Sequence, residues 1–201
     1  MEEGFRSMAL SGGSTPKIWF DLLSETFQQR LPWSELLCFW GDERCVPPTH
    51  AESNYKMTTE HLLGKVPVPE GHIFRILGEQ PPVEEALRYS RVLEDALPES
   101  NGLPRFDLVV LGMGDDGHTA SLVPGDPVVE IEDRLVAITD TYRGHRRMTL
   151  TRPAIDGAGL ILWIVSGSDK AEMIDRLVAG DTSIPAGVIS QERAVLVTDV
   201  T

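Results

Sequence analysis

Basic residues are scarce in this 201-residue chain: 18 lysines and arginines stand against 31 aspartates and glutamates, a net charge of −13. A field of that sign repels polyanions, so no nucleic-acid partner is expected. Cysteine is scarcer still. Cys38 and Cys45 are expected within and just after one short strand, where they offer neither a disulfide framework nor a four-ligand metal site. No apolar run approaches the roughly 20 residues that a membrane-spanning helix requires, and no membrane association is expected. The opening stretch, MEEGFRSMALSGGSTP, lacks the basic and apolar segments of a secretory leader, so the expected compartment is the cytoplasm. Internal repeats and low-complexity tracts are also missing.

What the chain does contain is a regular alternation of short apolar runs with amphipathic stretches, the pattern of βαβ units. Strands are expected at Ser7 to Leu10, Leu36 to Trp40, Phe106 to Leu111, Arg134 to Ile138, Leu160 to Ser166 and Arg193 to Thr198. Several are apolar at consecutive positions, as parallel strands covered on both faces are. Helices are expected at Lys17 to Gln29, Ser53 to Leu63, Val83 to Leu97 and Ser168 to Val178; in the third, Val83, Ala86, Leu87, Val92, Leu93 and Ala96 recur at helical spacing before Pro98. Gly64 to Pro82, rich in proline and glycine, reads as an irregular connection, and residues 1–201 as one domain. The fold class expected is α/β, a doubly wound and mostly parallel sheet with helices on both faces.

Ligands of such sheets gather where strands end at their carboxyl side. Four loops of that kind carry unusual residues. The first, SGGSTP from Ser11, runs from strand to helix; its glycines and the hydroxyl of Ser14 make a plausible phosphate cradle, although the Gly-Lys-Ser/Thr ending of a Walker loop is absent. Pro16 suits a first helical turn, with Ser14 or Thr15 as its cap. The second loop, WGDERCVPP, places Asp42, Glu43 and Arg44 directly after a strand, as cleft residues or as a structural ion-pair network, and Ser53 then caps the next helix. The fourth, Ser166 to Lys170, ends in a lysine.

The third loop, Gly112 to Pro124, is the richest. Gly112, Gly114 and Gly117 match G-x-G-x-x-G, but Pro124, Gly125 and Pro127 leave room for only about two helical turns behind them, which argues against a dinucleotide site. His118, at the expected start of that short helix, is a candidate general base, with Asp115 and Asp116 both within reach to orient it. Ser121 could instead act as a nucleophile one turn on, yet no G-x-S-x-G elbow accompanies it. A cation held by His118, Asp115 and Asp116 would lack a second histidine at i+4, and no metal is expected. Farther on, Arg143, His145, Arg146, Arg147 and Arg152 concentrate positive charge in an otherwise acidic chain.

Taken in order, SGGSTP, WGDERCVPP with SNY, GMGDDGHTASLVPG, RRMTLTRPAI, and SGSDKAEMI with IPAG resemble the 6-phosphogluconolactonase family along nearly the whole chain. The resemblance implies a Rossmann-like sheet of the sugar-phosphate isomerase and deaminase type. It also implies cofactor-free hydrolysis of 6-phospho-D-glucono-1,5-lactone to 6-phosphogluconate in the oxidative pentose phosphate pathway. It makes His118 the general base, oriented by Asp115 or Asp116, and Arg44 a substrate-contacting cation. Gly12, Gly13 and Ser14 are assigned to phosphate, with Lys170 and Arg147 or Arg146; Asp42 and Gly114 join them as binding residues. Related deaminases carry an acid soon after the histidine and an M-D-E-Y segment; this chain has Ser121-Leu122-Val123-Pro124 and Gly41-Asp42-Glu43-Arg44. A non-catalytic sugar-phosphate sensor is the other alternative. Family members place a strand and helix before the glycine loop, which here begins at residue 11, so a sheet short of those elements is expected. The expected partner is a small phosphorylated sugar lactone bound by a monomer.

Overall fold

The computed structural model describes residues 5–200. Five parallel strands form the central sheet: β1 (Ser7–Leu10), β2 (Leu37–Trp40), β6 (Leu108–Leu111), β9 (Leu160–Val165) and β10 (Ala194–Thr198), in the order β10-β9-β6-β1-β2. All four residues of both β1 and β6 are buried, so the sheet centre is covered on both faces, as the apolar runs Met8–Leu10 and Leu108–Leu111 require. Helices α1 (Ser14–Thr26), α2 (Asn54–Thr58), α3 (Pro82–Ala96), α4 (Arg152–Asp156) and α5 (Ala171–Val178) complete the α/β architecture.

A second sheet was not expected. β3 (Asp42–Arg44), β7 (Val136–Ile138) and β8 (Arg147–Leu150) form an antiparallel trio in the order β3-β8-β7, and β4 (Glu99–Ser100) pairs with β5 (Leu103–Pro104) in a small hairpin. Thus the strand expected at Arg134 to Ile138 exists, but outside the parallel sheet. The charged DER segment, read as part of a loop, is a strand, and so is the basic RMTL segment, which was not among the strands expected.

Helix boundaries differ as well. α1 begins three residues early at Ser14, its N-cap is Gly13, and neither Ser14 nor Thr15 caps it through a side chain. Ser53 does cap α2, accepting from the N–H of Lys56 at 3.1 Å, but that helix loosens into a π-turn over Thr59–Leu63. The helix expected behind His118 is absent: Thr119 and Leu122 exchange backbone hydrogen bonds at 3.3 and 2.8 Å around Ala120, whose φ is +47°. In α3 the apolar periodicity marks only part of the buried face: Ala86 and Leu93 are buried, and Val92 and Ala96 pack against the core. Val83 and Leu87 are exposed, whereas Glu85, Ala86, Tyr89 and Leu93 face inward.

Tyr89 shows why. Its hydroxyl accepts from the Trp40 N–H at 2.9 Å and donates to the Trp40 carbonyl at 3.2 Å, fastening α3 to β2 at the end of the parallel sheet. The N–H of Phe74 donates to the Cys38 carbonyl at 2.8 Å on the same strand, so this edge is sealed against further pairing. Phe39 stacks on Phe74 and meets Phe106 edge-on, at ring separations of 4.8 and 5.4 Å. Among the described residues, the buried apolar side chains form one continuous cluster around these rings. The first four residues, on which the reading of the N-terminus partly rests, lie outside the described residues.

Candidate active site

A cleft of about 390 Å³ opens at the carboxyl ends of β1, β6 and β9, the size that suits a small ligand. Its walls come from the glycine loop and first turn of α1 (Gly12, Gly13, Ser14), from Asp42 and Arg44 of β3, and from Gly114 and His118 after β6. Arg147 of β8 and Lys170 before α5 complete them. The topology brings together residues scattered over most of the chain. Asp116 stands behind His118 rather than in the wall.

His118 is the best-defined group. Its Nδ1 lies 2.5 Å from Asp116 Oδ1, and Asp116 Oδ1 also accepts the His118 backbone N–H at 3.1 Å. With the ring proton on Nδ1 donated to the carboxylate, the lone pair sits on Nε2, which has no protein partner among the described hydrogen bonds. Burial pushes the Asp116 carboxyl up, but hydrogen bonds from Tyr142, from His118 and from the backbone outweigh it and hold the group at about 2. Asp115 does not compete for the imidazole: it is exposed and pairs with Arg143 at 2.5 Å. Gly114 makes the arrangement sterically possible, because a Cβ there would lie 2.1 Å from the His118 ring.

Opposite the histidine, α1 presents its N-terminus to the cleft with no side chain capping it, leaving first-turn N–H groups for an anion. Gly12 packs against Asn54 so closely that a Cβ would fall 1.9 Å from the amide oxygen. Asn54 in turn donates to the Asp42 carbonyl at 2.9 Å and to its carboxylate at 3.1 Å.

Charge is matched beneath the cleft. The buried Asp42 carboxylate accepts from Ser121 Oγ at 2.5 Å and lies 4.0 Å from Arg147 Nη1, while burial lowers the Arg147 guanidinium's affinity for its proton. Arg147 Nε and Arg44 Nε are buried without a hydrogen-bond acceptor, so both guanidinium groups retain donor capacity next to the cleft. Arg146 is exposed and absent from the cleft wall. Glu43 belongs to the scaffold: its carboxylate accepts from Ser53 Oγ and from the N–H groups of Arg44, Asn54 and Tyr55.

Two contributors escaped the sequence reading. Asn54 lay in plain sight in the SNY segment, but only the fold puts it under Gly12. Tyr142, whose hydroxyl donates to Asp116 Oδ2 at 2.7 Å, carried no local signal. Among the described residues no three His, Cys, Asp or Glu side chains converge as a metal site would require. No described helix is long and apolar enough to cross a membrane.

Fold and site together define the class: an open α/β protein with a polar, arginine-bearing crevice beyond its strand ends and a histidine–carboxylate pair in it. The family model for glucosamine-6-phosphate isomerases/6-phosphogluconolactonase matches residues 1–198, and the chain belongs to that family. A 6-phosphogluconolactonase of Treponema pallidum is 41% identical over 170 residues, covering 83% of this chain and 70% of that protein. One from a Synechocystis species is 37% identical over 180 residues, covering 89% and 73%. The crystal structure of 6-phosphogluconolactonase from Thermotoga maritima superposes with a TM-score of 0.85 at 29% identity, covering 98% of this chain and 86% of that one.

Proposed function

We propose that this chain is a 6-phosphogluconolactonase that hydrolyses 6-phospho-D-glucono-1,5-lactone to 6-phosphogluconate with water activated by His118. The relatives of the preceding section support the substrate, and one observation carries the mechanism: His118 lines the cleft with its Nδ1 held by Asp116, and its Nε2 has no hydrogen-bond partner among the described residues. In this reading the phosphate rests on the N–H groups and hydroxyl of Gly12, Gly13 and Ser14, with Arg147 and Lys170 supplying positive charge. Asp42 and Gly114 shape the cavity, Asp42 by holding Arg147 and Gly114 by admitting the imidazole.

A δ-lactone is an activated ester, so chemistry needs no covalent intermediate. Nε2 takes a proton from water as the water oxygen attacks the lactone carbonyl carbon. The resulting oxyanion is met by Arg44 or by loop N–H groups, each such donor being worth roughly 3 kcal/mol. Collapse breaks the bond to the ring oxygen, and the imidazolium returns its proton there, giving the C5 hydroxyl and the free acid. Asp116 stays ionised throughout and steadies the imidazolium. Two free thiols suit a reducing cytoplasm.

The test is acid release from freshly prepared lactone, read against the spontaneous rate. Acceleration by the wild type, lost by two or more orders of magnitude in His118→Ala with binding of 6-phosphogluconate retained, is the expected result. Binding of 6-phosphogluconate with no acceleration by the wild type would leave the chain a sensor.

A further inference from the structure

The turn joining β7 to β8 reaches over the cleft. Tyr142 and His145 exchange backbone hydrogen bonds at 2.9 and 3.2 Å, and the two residues between them, Arg143 and Gly144, take φ of +47° and +89°. This tight turn fixes the direction of the Tyr142 side chain, which does two things at once. Its hydroxyl donates to Asp116 Oδ2 at 2.7 Å and lies 3.2 Å from His118 Nδ1, with the two rings edge-on at 5.3 Å. Its ring carries two guanidinium groups, Arg143 and Arg147, each with Cζ 5.1 Å from the ring centroid.

We propose that Tyr142 is a positioning residue for the lactonase reaction, its hydroxyl setting the Asp116–His118 pair and its ring seating Arg147 against the phosphate. The inference rests on the functional reading above. The hydroxyl occupies the carboxylate oxygen that the imidazole does not use, so it fixes the plane of Asp116 and with it the ring of His118. It also withdraws charge from the carboxylate. A carboxylate relieved of that donor is a stronger partner for an imidazolium, and the base then holds its proton to higher pH. The same ring supports Arg147 by cation–π contact on a face that water does not reach freely.

Other charges face this pair from every side. Asp115 lies on the same loop and is neutralised by Arg143; Asp42 and Arg44 approach from β3, Arg147 from β8, and Asp169 with Lys170 from the segment before α5. None of them touches the Tyr142 hydroxyl, so Tyr142→Phe leaves their placement unchanged. Tyr142→Ala removes the ring as well. The residue is half-buried at a turn, and neither substitution opens the core.

Two readouts separate the proposal from the functional reading beneath it. The His118 imidazole is titrated by NMR in substrate-free protein, and pH profiles of kcat/KM are recorded with the lactone, for wild type, Tyr142→Phe and Tyr142→Ala. In Tyr142→Phe the imidazole titration is expected to rise, with the acid limb of the rate profile moving in the same direction and KM held within about twofold. In Tyr142→Ala a several-fold rise in KM is expected in addition. An unchanged or lowered imidazole titration in Tyr142→Phe overturns the role of the hydroxyl. Equal KM increases in the Phe and Ala variants overturn the role of the ring. Failure of the wild type to open the lactone would refute the functional reading alone, because the NMR titration still decides whether the hydroxyl sets the pair.

Discussion

Ser121 Oγ donates to Asp42 Oδ2 at 2.5 Å, and neither side chain is more than a few per cent exposed. The serine that stands three residues after His118, the proposed base, is therefore turned away from it, toward the carboxylate under Arg147. The backbone explains the divergence. With Ala120 at positive φ, the chain reverses at Thr119–Leu122 instead of making the helical turn that would have faced Ser121 toward His118. Ser121→Ala should consequently lose stability, not chemistry. Removing a buried hydrogen bond to a charged group costs about 1.5–3 kcal/mol, readable by urea unfolding, while kcat changes by no more than a few-fold. Loss of about 10⁴-fold or more in a folded Ser121→Ala protein would instead mark a serine nucleophile.

Gly114 is a sharper test of the catalytic geometry. A Cβ at this position would meet the imidazole at 2.1 Å and the Asp116 carboxylate at 2.9 Å, and both contacts belong to the proposed base and its partner. Neither group can remain where it is in Gly114→Ala. The loop lies at the surface of the cleft, so the ring swings aside rather than the sheet opening, and overall stability is expected to fall little. A displacement of about 1 Å in a catalytic group costs on the order of 100-fold in rate, and a loss of that size in kcat is expected, with KM for the lactone changed far less. Near-normal kcat in Gly114→Ala would show that the position of His118 is not critical.

The parallel sheet was legible because burial on both faces writes itself as continuous apolar runs: Leu108–Leu111 and Met8–Leu10 needed no partner to be recognised. The antiparallel sheet was not. Asp42-Glu43-Arg44 has the composition of a solvated loop, and it becomes a strand only because Arg44 pairs with Arg147 and Asp42 with Thr149, contacts far apart along the chain. The charges it buries are satisfied individually, Glu43 by four donors and Asp42 by Ser121 and Asn54, which no local pattern discloses. The site was half legible for the same reason. Glycines that admit a close approach announce His118 and the α1 cradle, whereas Tyr142 and Asn54 matter through partners supplied by other loops. The choice between Asp115 and Asp116 lay beyond sequence too, since it depends on Arg143 drawing Asp115 outward.

The fully buried Cys38 gives the fold a dependence on alkaline pH. Its thiol, removed from water on β2, is pushed up to about 12 from an ordinary value of 9.0, because burial penalises the thiolate. A group whose folded pKa is raised contributes stability that is complete below its unfolded pKa and is lost as pH climbs toward the folded one. The window therefore opens near pH 9, where the unfolded chain begins to release a proton that the folded chain keeps. By pH 10 the loss from this thiol alone is on the order of 1 kcal/mol. Cys45, raised in the same direction by burial, adds to it; Tyr89, buried and raised as well, extends the decline above pH 10. Urea unfolding at pH 8 and pH 10 is expected to show the wild type losing more stability over that interval than Cys38→Ala, even though the variant starts lower for want of the buried sulfur. Equal losses in the two proteins would mean that Cys38 ionises as readily in the folded chain as in the unfolded one, which its place in the sheet forbids.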